Sequence, residues 1–183
     1  QKAQALGAPL LLGEYGAPAG THRADDYLTL LHRHLNRALA SGTQWNYTPR
    51  WDATTKDGWN REDLSIVDDH GKLRDGLFRP RAYAQRIAGQ PVSLTVREGS
   101  ALIPRAIELR WQNDPALGDT VLFAPRVLFD GPTAAERAKI ETQGDGLLCA
   151  YDRAGLRVRC LGLLKGERRI TVRACLKVGS LCL

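Results

Sequence analysis

Glu14 ends an apolar run, Ala8-Pro9-Leu10-Leu11-Leu12-Gly13-Glu14-Tyr15-Gly16, and Trp45 lies 31 positions further on in a second short run, Thr43-Gln44-Trp45-Asn46-Tyr47. A carboxylate at a strand end is held rigidly enough to act as a nucleophile or to move a proton. An aromatic plane suits the C–H face of a sugar ring, so the two types together point to carbohydrate chemistry. Taken singly, each has a plainer explanation: Glu14 as an ordinary loop acid, Trp45 as a core aromatic. Asn46 and Tyr47 alternate with Trp45 along the strand, so at most two of the three face the same way. We take Trp45 and Tyr47 as that pair, with Tyr15 and Trp59 as further aromatics in loops at the same end. Those aromatics, with Trp51, either line an apolar slot or pack the loops. Glu62 and Asp63 are expected to anchor their loop.

These residues need elements to hold them. Leu10–Leu12 has the continuous apolar character of a strand covered on both faces, as in a parallel barrel. Gly16, Pro18 and Gly20 make a loop. Asp25 and Asp26 suit the first turn of a helix, along which Leu28, Leu31, Leu35, Ala38 and Leu39 recur at helical spacing; Gly42 is the expected C-terminal cap. Strand, acid, helix, strand, aromatic is the order expected at the end of a (β/α)8 barrel, whose chemistry sits at the C-terminal ends of its strands. No room precedes residue 8 for the other strands of such a barrel, which implies the C-terminal portion of a larger enzyme. Residues 49–72 form a long polar and aromatic loop of the length usually kept for function. Arg79-Pro80 suits a helix start, predicting a helix over 78–89.

From Gln90 the texture changes. Segments 92–97, 106–111, 120–123, 156–160 and 169–172 alternate apolar and polar residues, with turn signals between them. This predicts an antiparallel β-sandwich over 90–183 after a barrel portion over 1–89. The fold class is therefore α/β plus all-β. Trp111, Phe123, Phe129 and Tyr151 have the placement of core residues.

The 183 residues are 43% hydrophobic and 25% charged, ordinary for a globular chain. No apolar stretch reaches the ~18 residues of a membrane span, and residues 1–12 lack the features of a signal peptide. Net charge is +6, from Arg scattered over the second half. Alternating Arg in strands makes a solvated face. Nucleic acid is not an expected partner, because aromatics interleaved with the basic residues are sparse; an anionic membrane surface is a weaker possibility. Cysteines stand at 149, 160, 175 and 182. Cys149 and Cys160 flank a hairpin turn, Asp152-Arg153-Ala154-Gly155, and are either disulfide-bonded or buried thiols; disulfides would mean export. Neither their spacing nor that of His22, His32, His34 and His70 suits a metal. His32 and His34, two apart on the helix, do not share a face.

Leu12-Gly13-Glu14-Tyr15-Gly16, Gln44-Trp45-Asn46-Tyr47, Trp59-Asn60-Arg61-Glu62-Asp63-Leu64-Ser65-Ile66 and the segment 77–89 together resemble the C-terminal part of glycoside hydrolase family 5, in its endoglycoceramidase-related branch. The likeness covers about residues 6–125. It implies a retaining glycosidase without metal or organic cofactor, acting on a glycolipid substrate between glycan and lipid. Glu14 matches the family's nucleophile and Trp45 its sugar-stacking aromatic. No position matches the family's acid/base, so the site needs the first part of the barrel, from the same protein or a companion chain. A secreted or membrane-associated extracellular setting is the expectation if the cysteines pair. The alternative is a non-catalytic carbohydrate- or membrane-binding β-sandwich module.

Overall fold

The computed structural model describes residues 5–58, 61–99, 105–125, 139–152, 154–174, 177–178 and 181–182. The chain divides into two compact units, residues 1–79 and 80–183.

In the first unit, β1 (Leu11–Tyr15), α1 (Ala24–Arg37) and β2 (Ser41–Gln44) form a strand–helix–strand unit whose two strands pair in parallel, Leu11 opposite Ser41 and Leu12 opposite Gly42. Asp25 and Asp26 occupy the first turn of α1 and His34 and Arg37 the last, the polarity that the helix dipole favours. Its buried face is Ala24, Leu28, His32, Leu35 and Asn36. This face is turned slightly from the expected stripe: His32 and Asn36 are inside, Ala38 and Leu39 outside, and His34 is exposed. The helix does not end on Gly42. Leu39 takes the left-handed position (φ 49°), Leu39 N–H donates to the Asn36 carbonyl at 3.0 Å, and Ala40 N–H donates to that of Leu35 at 2.8 Å. This is a Schellman termination built on leucine. Gly42 lies inside β2, where a Cβ would come 3.0 Å from the Tyr15 ring and 3.2 Å from Leu35.

Among the described residues these two strands pair only with each other. Leu10, Leu11 and Leu12 are consequently exposed (49, 61 and 36%), whereas the sequence pattern leads one to expect a strand covered on both faces. Residues 45–79 follow without long elements. Aspartates organise them. Asp52 accepts the backbone N–H groups of Thr54 and Thr55, Asp57 those of Leu64 and Ser65, and Asp68 those of His70 and Lys72. Such side-chain-to-backbone bonds are how Asp makes turns.

The second unit is all β. One antiparallel sheet has the order β4 (Gly89–Arg97), β5 (Ala106–Asn113), β10 (Gly166–Arg173), β7 (Lys139–Gln143); the other has β3 (Tyr83–Arg86), β6 (Asp119–Phe123), β9 (Arg157–Gly162), β8 (Leu147–Asp152). The strands β11 (Lys177–Val178) and β12 (Leu181–Cys182) make a separate short pair. Alternation sends Leu94, Ile107, Leu109, Trp111, Ile170 and Val172 of the first sheet and Leu122, Leu147, Val158 and Cys160 of the second into one shared core. The helix expected over 78–89 is instead β3, paired with β6. The segment is short, and its apolar residues satisfy the periods of both helix and strand, so tertiary pairing decides.

Arg110 and Arg169 stand directly opposite on β5 and β10. Diagonal acids relieve the repulsion: Glu167 lies 2.5 Å from Arg110, and Glu108 pairs with Arg169. Arg168 departs from this solvated pattern. It is buried, and its guanidinium donates to the carbonyls of Leu164 and Glu167, each at 2.8 Å. Cys149 and Cys160 face each other on β8 and β9 and form a disulfide. Cys175, the Cys182 side chain and Phe129 lie outside the described residues.

Candidate functional site

The end of β1 and the end of β2 are locked together. Trp45 N–H donates to the Tyr15 carbonyl at 2.7 Å. Gly16 makes this approach possible, since a Cβ there would lie 2.1 Å from the Trp45 carbonyl oxygen. The Trp45–Asn46 peptide is cis. The chain then returns along the same edge: Asn46 accepts Ile66 N–H at 2.9 Å, and Ala19 N–H donates to the Asp63 carbonyl at 2.7 Å. Loop 61–66 thereby becomes a wall of the strand ends.

The result is a cleft of about 420 Å³ lined by Glu14, Tyr15, Gly16, Trp45, Glu62 and Leu64. Glu14 is exposed on its wall and Trp45 is half-buried. Strand alternation puts Tyr15 on the face opposite Glu14. Its ring meets His32 of α1 edge-on (centroids 5.8 Å, 81°), and its hydroxyl lies 3.2 Å from His32 Nε2. Tyr15 thus lines the cleft while its hydroxyl is turned to the helix. Tyr47 is 64% exposed and is not among the lining residues. Trp59 lies outside the described residues. His22 is exposed on the loop before α1.

Two loop acids hold the aromatics. Trp45 Nε1 donates to Glu62 Oε2 at 3.1 Å, so the indole is oriented by a carboxylate that itself lines the cleft. Trp51 Nε1 donates to Asp63 Oδ1 at 2.9 Å, and the Trp51 ring lies under Arg74 (4.1 Å to the centroid) and near Lys56 (5.4 Å). Trp51 is therefore committed to packing the loop. Burial pushes the Asp63 carboxyl up, but hydrogen bonds from Arg74 and Trp51, with the charges of Arg74 and Lys56, outweigh it and hold the group below its ordinary value. Residue types alone do not single out Glu62 as the partner of Trp45. The only hint is an acid near the aromatic in a long loop. Among the described residues, no group of three or more His, Cys, Asp and Glu is placed to hold a metal ion.

No protein-family model matches the chain, and no curated protein matches it in sequence. Solved structures do match its fold. Endo-glycoceramidase II from Rhodococcus sp., as its lactosyl-enzyme intermediate, superposes with a TM-score of 0.64 at 18% identity, over 96% of this chain and 35% of that one. The ganglioside GM3 complex of the same enzyme gives a TM-score of 0.64 at 18% identity, over 96% of this chain and 34% of that one. Sterylglucosidase 1 from Cryptococcus neoformans gives 0.63 at 18% identity, over 93% and 30%. The chain is similar in fold to glycosidases and spans about a third of their length.

Proposed function

We propose that this chain is part of a retaining glycoside hydrolase of family 5 that cleaves a glycolipid between glycan and lipid, in the manner of an endoglycoceramidase. In this reading Glu14 is the nucleophile: its carboxylate attacks the anomeric carbon, the glycosidic oxygen leaves with a proton from a second carboxyl group, and water then releases the sugar from the glycosyl-enzyme. Trp45 stacks on the sugar beside the scissile bond, with Tyr47, Tyr15 and Trp59 as further substrate contacts. Glu62 keeps the indole plane fixed.

The observation that carries the reading is that Glu14 and Trp45, from the ends of two parallel strands, line one cleft, in a chain whose fold matches that of glycosidases. The uncovered leucines of β1 support a larger (β/α)8 barrel around this strand–helix–strand unit, because parallel strands of continuous apolar residues are normally covered on both faces. The rest of the barrel, from the same protein or a companion chain, would supply the proton donor. The two four-stranded sheets are read as a β-sandwich following the barrel. The Cys149–Cys160 disulfide supports a secreted or extracellular membrane-associated setting.

The test is turnover of a glycosylceramide and of a steryl glucoside by the polypeptide containing this chain. Release of an intact glycan with retained anomeric configuration supports the reading. Inversion, or no release from either lipid, contradicts it.

A further inference from the structure

Glu14 does not stand in an unbroken ladder. Leu12 pairs with Gly42 and Tyr15 with Gln44, so β1 places two residues, Gly13 and Glu14, opposite the single residue Thr43 of β2. This is a β-bulge. The ladder is interrupted there, so strand pairing alone does not fix where the bulged side chain is aimed; the groups that hold the two ends of the bulge do. One end is held within the strands, where the Thr43 hydroxyl donates to the Gly13 carbonyl. The other end is Tyr15.

Tyr15 is held from three sides. Its carbonyl accepts Trp45 N–H at 2.7 Å. Its ring rests on Gly42 of β2, where a Cβ would come 3.0 Å from Cε1. Its hydroxyl lies 3.2 Å from His32 Nε2, with the imidazole edge-on to the ring at 5.8 Å between centroids. His32 is 7% exposed and sits on the buried face of α1, between Leu28 and Leu35. The period of that face suits a leucine at position 32. An imidazole there takes two ring nitrogens out of water, which a leucine would not. The chemistry described above makes no use of it. What His32 reaches is the residue next in the chain to Glu14, whose carbonyl also fixes the backbone of Trp45.

We propose that His32 is a positioning residue for Glu14 and acts through Tyr15. The imidazole fixes the tyrosine, the tyrosine fixes the second end of the bulge, and the bulge aims the carboxylate at the anomeric carbon. The inference rests on the reading of Glu14 as the nucleophile. A nucleophile aimed wrongly by a fraction of an ångström attacks slowly while the substrate still binds. Loss of His32 therefore acts on the rate of attack and leaves binding alone.

The test is inactivation of the polypeptide containing this chain by a 2-deoxy-2-fluoro glycoside with a dinitrophenolate leaving group, with the rate constant of labelling separated from the dissociation constant. His32→Leu should lower the rate constant about tenfold and leave the dissociation constant unchanged. His32→Gln, whose terminal amide can meet the Tyr15 hydroxyl, should recover most of that loss. A purely structural role predicts the opposite order, since leucine is the better core residue. Tyr15→Phe should slow labelling as much as His32→Leu, and the two together no further, because they break one contact. Gly42→Ala presses on the Tyr15 ring from the other side and provides a second variant should His32→Leu misfold. Labelling at the wild-type rate in the folded variants, or a loss confined to the dissociation constant, would overturn the proposal. A wild type that takes no label on Glu14 removes the nucleophile reading and this inference with it. A labelled wild type with unaffected variants removes the inference alone.

Discussion

The Trp45 indole donates to Glu62 at 3.1 Å across 17 positions of sequence, and both side chains line the cleft that Glu14 also lines. In the proposed reading Trp45 is a stacking platform, and such a platform works only if its plane is fixed before the sugar arrives. One charge-assisted hydrogen bond is enough to select the ring orientation. Glu62→Ala should therefore lower kcat/KM by about tenfold, chiefly through KM, while Glu62→Gln, which keeps an acceptor oxygen, should lose much less. Steady-state kinetics on an aryl glycoside with both variants check this.

Gly16→Ala should be more damaging than its size suggests. The added methyl would meet the Trp45 carbonyl oxygen at 2.1 Å, a backbone atom that can move only by breaking the contact between the ends of β1 and β2. A loss of about 1–3 kcal/mol is expected, with a shift in the Trp45 environment visible in near-UV circular dichroism. A wild-type spectrum and melting temperature would count against the close packing described.

Acid should loosen loop 51–74 through Asp63. Its native carboxyl titrates below the ordinary 3.8. The unfolded chain therefore takes up the proton first as pH falls. The stabilisation is complete above the unfolded value and is lost as pH drops through the native one. Asp63→Asn keeps an oxygen for Trp51 but removes the charge beside Arg74 and Lys56, and should cost about 1–2 kcal/mol. Tryptophan fluorescence during urea unfolding at neutral pH and near pH 3 should show the wild type losing more stability than the variant, whose remaining loss comes from Asp52 and Asp68, held below their ordinary values by hydrogen bonds from Thr55 and Lys72.

Trp111 is fully buried in β5 and hydrogen-bonded through Nε1 to Asn113 Oδ1 at 3.0 Å. Trp111→Ala should destabilise the second unit by about 3–5 kcal/mol, measured by denaturant melting of the variant chain. Trp111→Phe, which loses only the hydrogen bond and part of the ring, should cost less.

The juxtaposition of Glu14 with Trp45 was readable from spacing, because a parallel strand–helix–strand unit brings the ends of its two strands side by side whatever the helix sequence. The long strands β4, β5, β6, β9 and β10 were readable from alternation. What could not be read depends on distant partners. The helix terminates on Leu39, a residue type that carries no stop signal, while Gly42 serves inside β2, where it leaves room for the Tyr15 ring. Residues 83–86 satisfy both periods, and only β6 makes them a strand. Glu62 and Asp63 are adjacent acids with no pattern to separate them. The loop fold gives one to Trp45 and the other to Trp51.

The identity of the nucleophile is open to direct observation. A 2-deoxy-2-fluoro glycoside with a dinitrophenolate leaving group needs no proton donor to form the glycosyl-enzyme but decomposes slowly, so the attacking carboxylate is trapped. After incubation with the polypeptide containing this chain, peptide mass mapping should find the sugar on Glu14, and Glu14→Gln should abolish both labelling and turnover. A label on Glu62 or any other carboxylate, or full turnover by Glu14→Gln, would contradict the assignment.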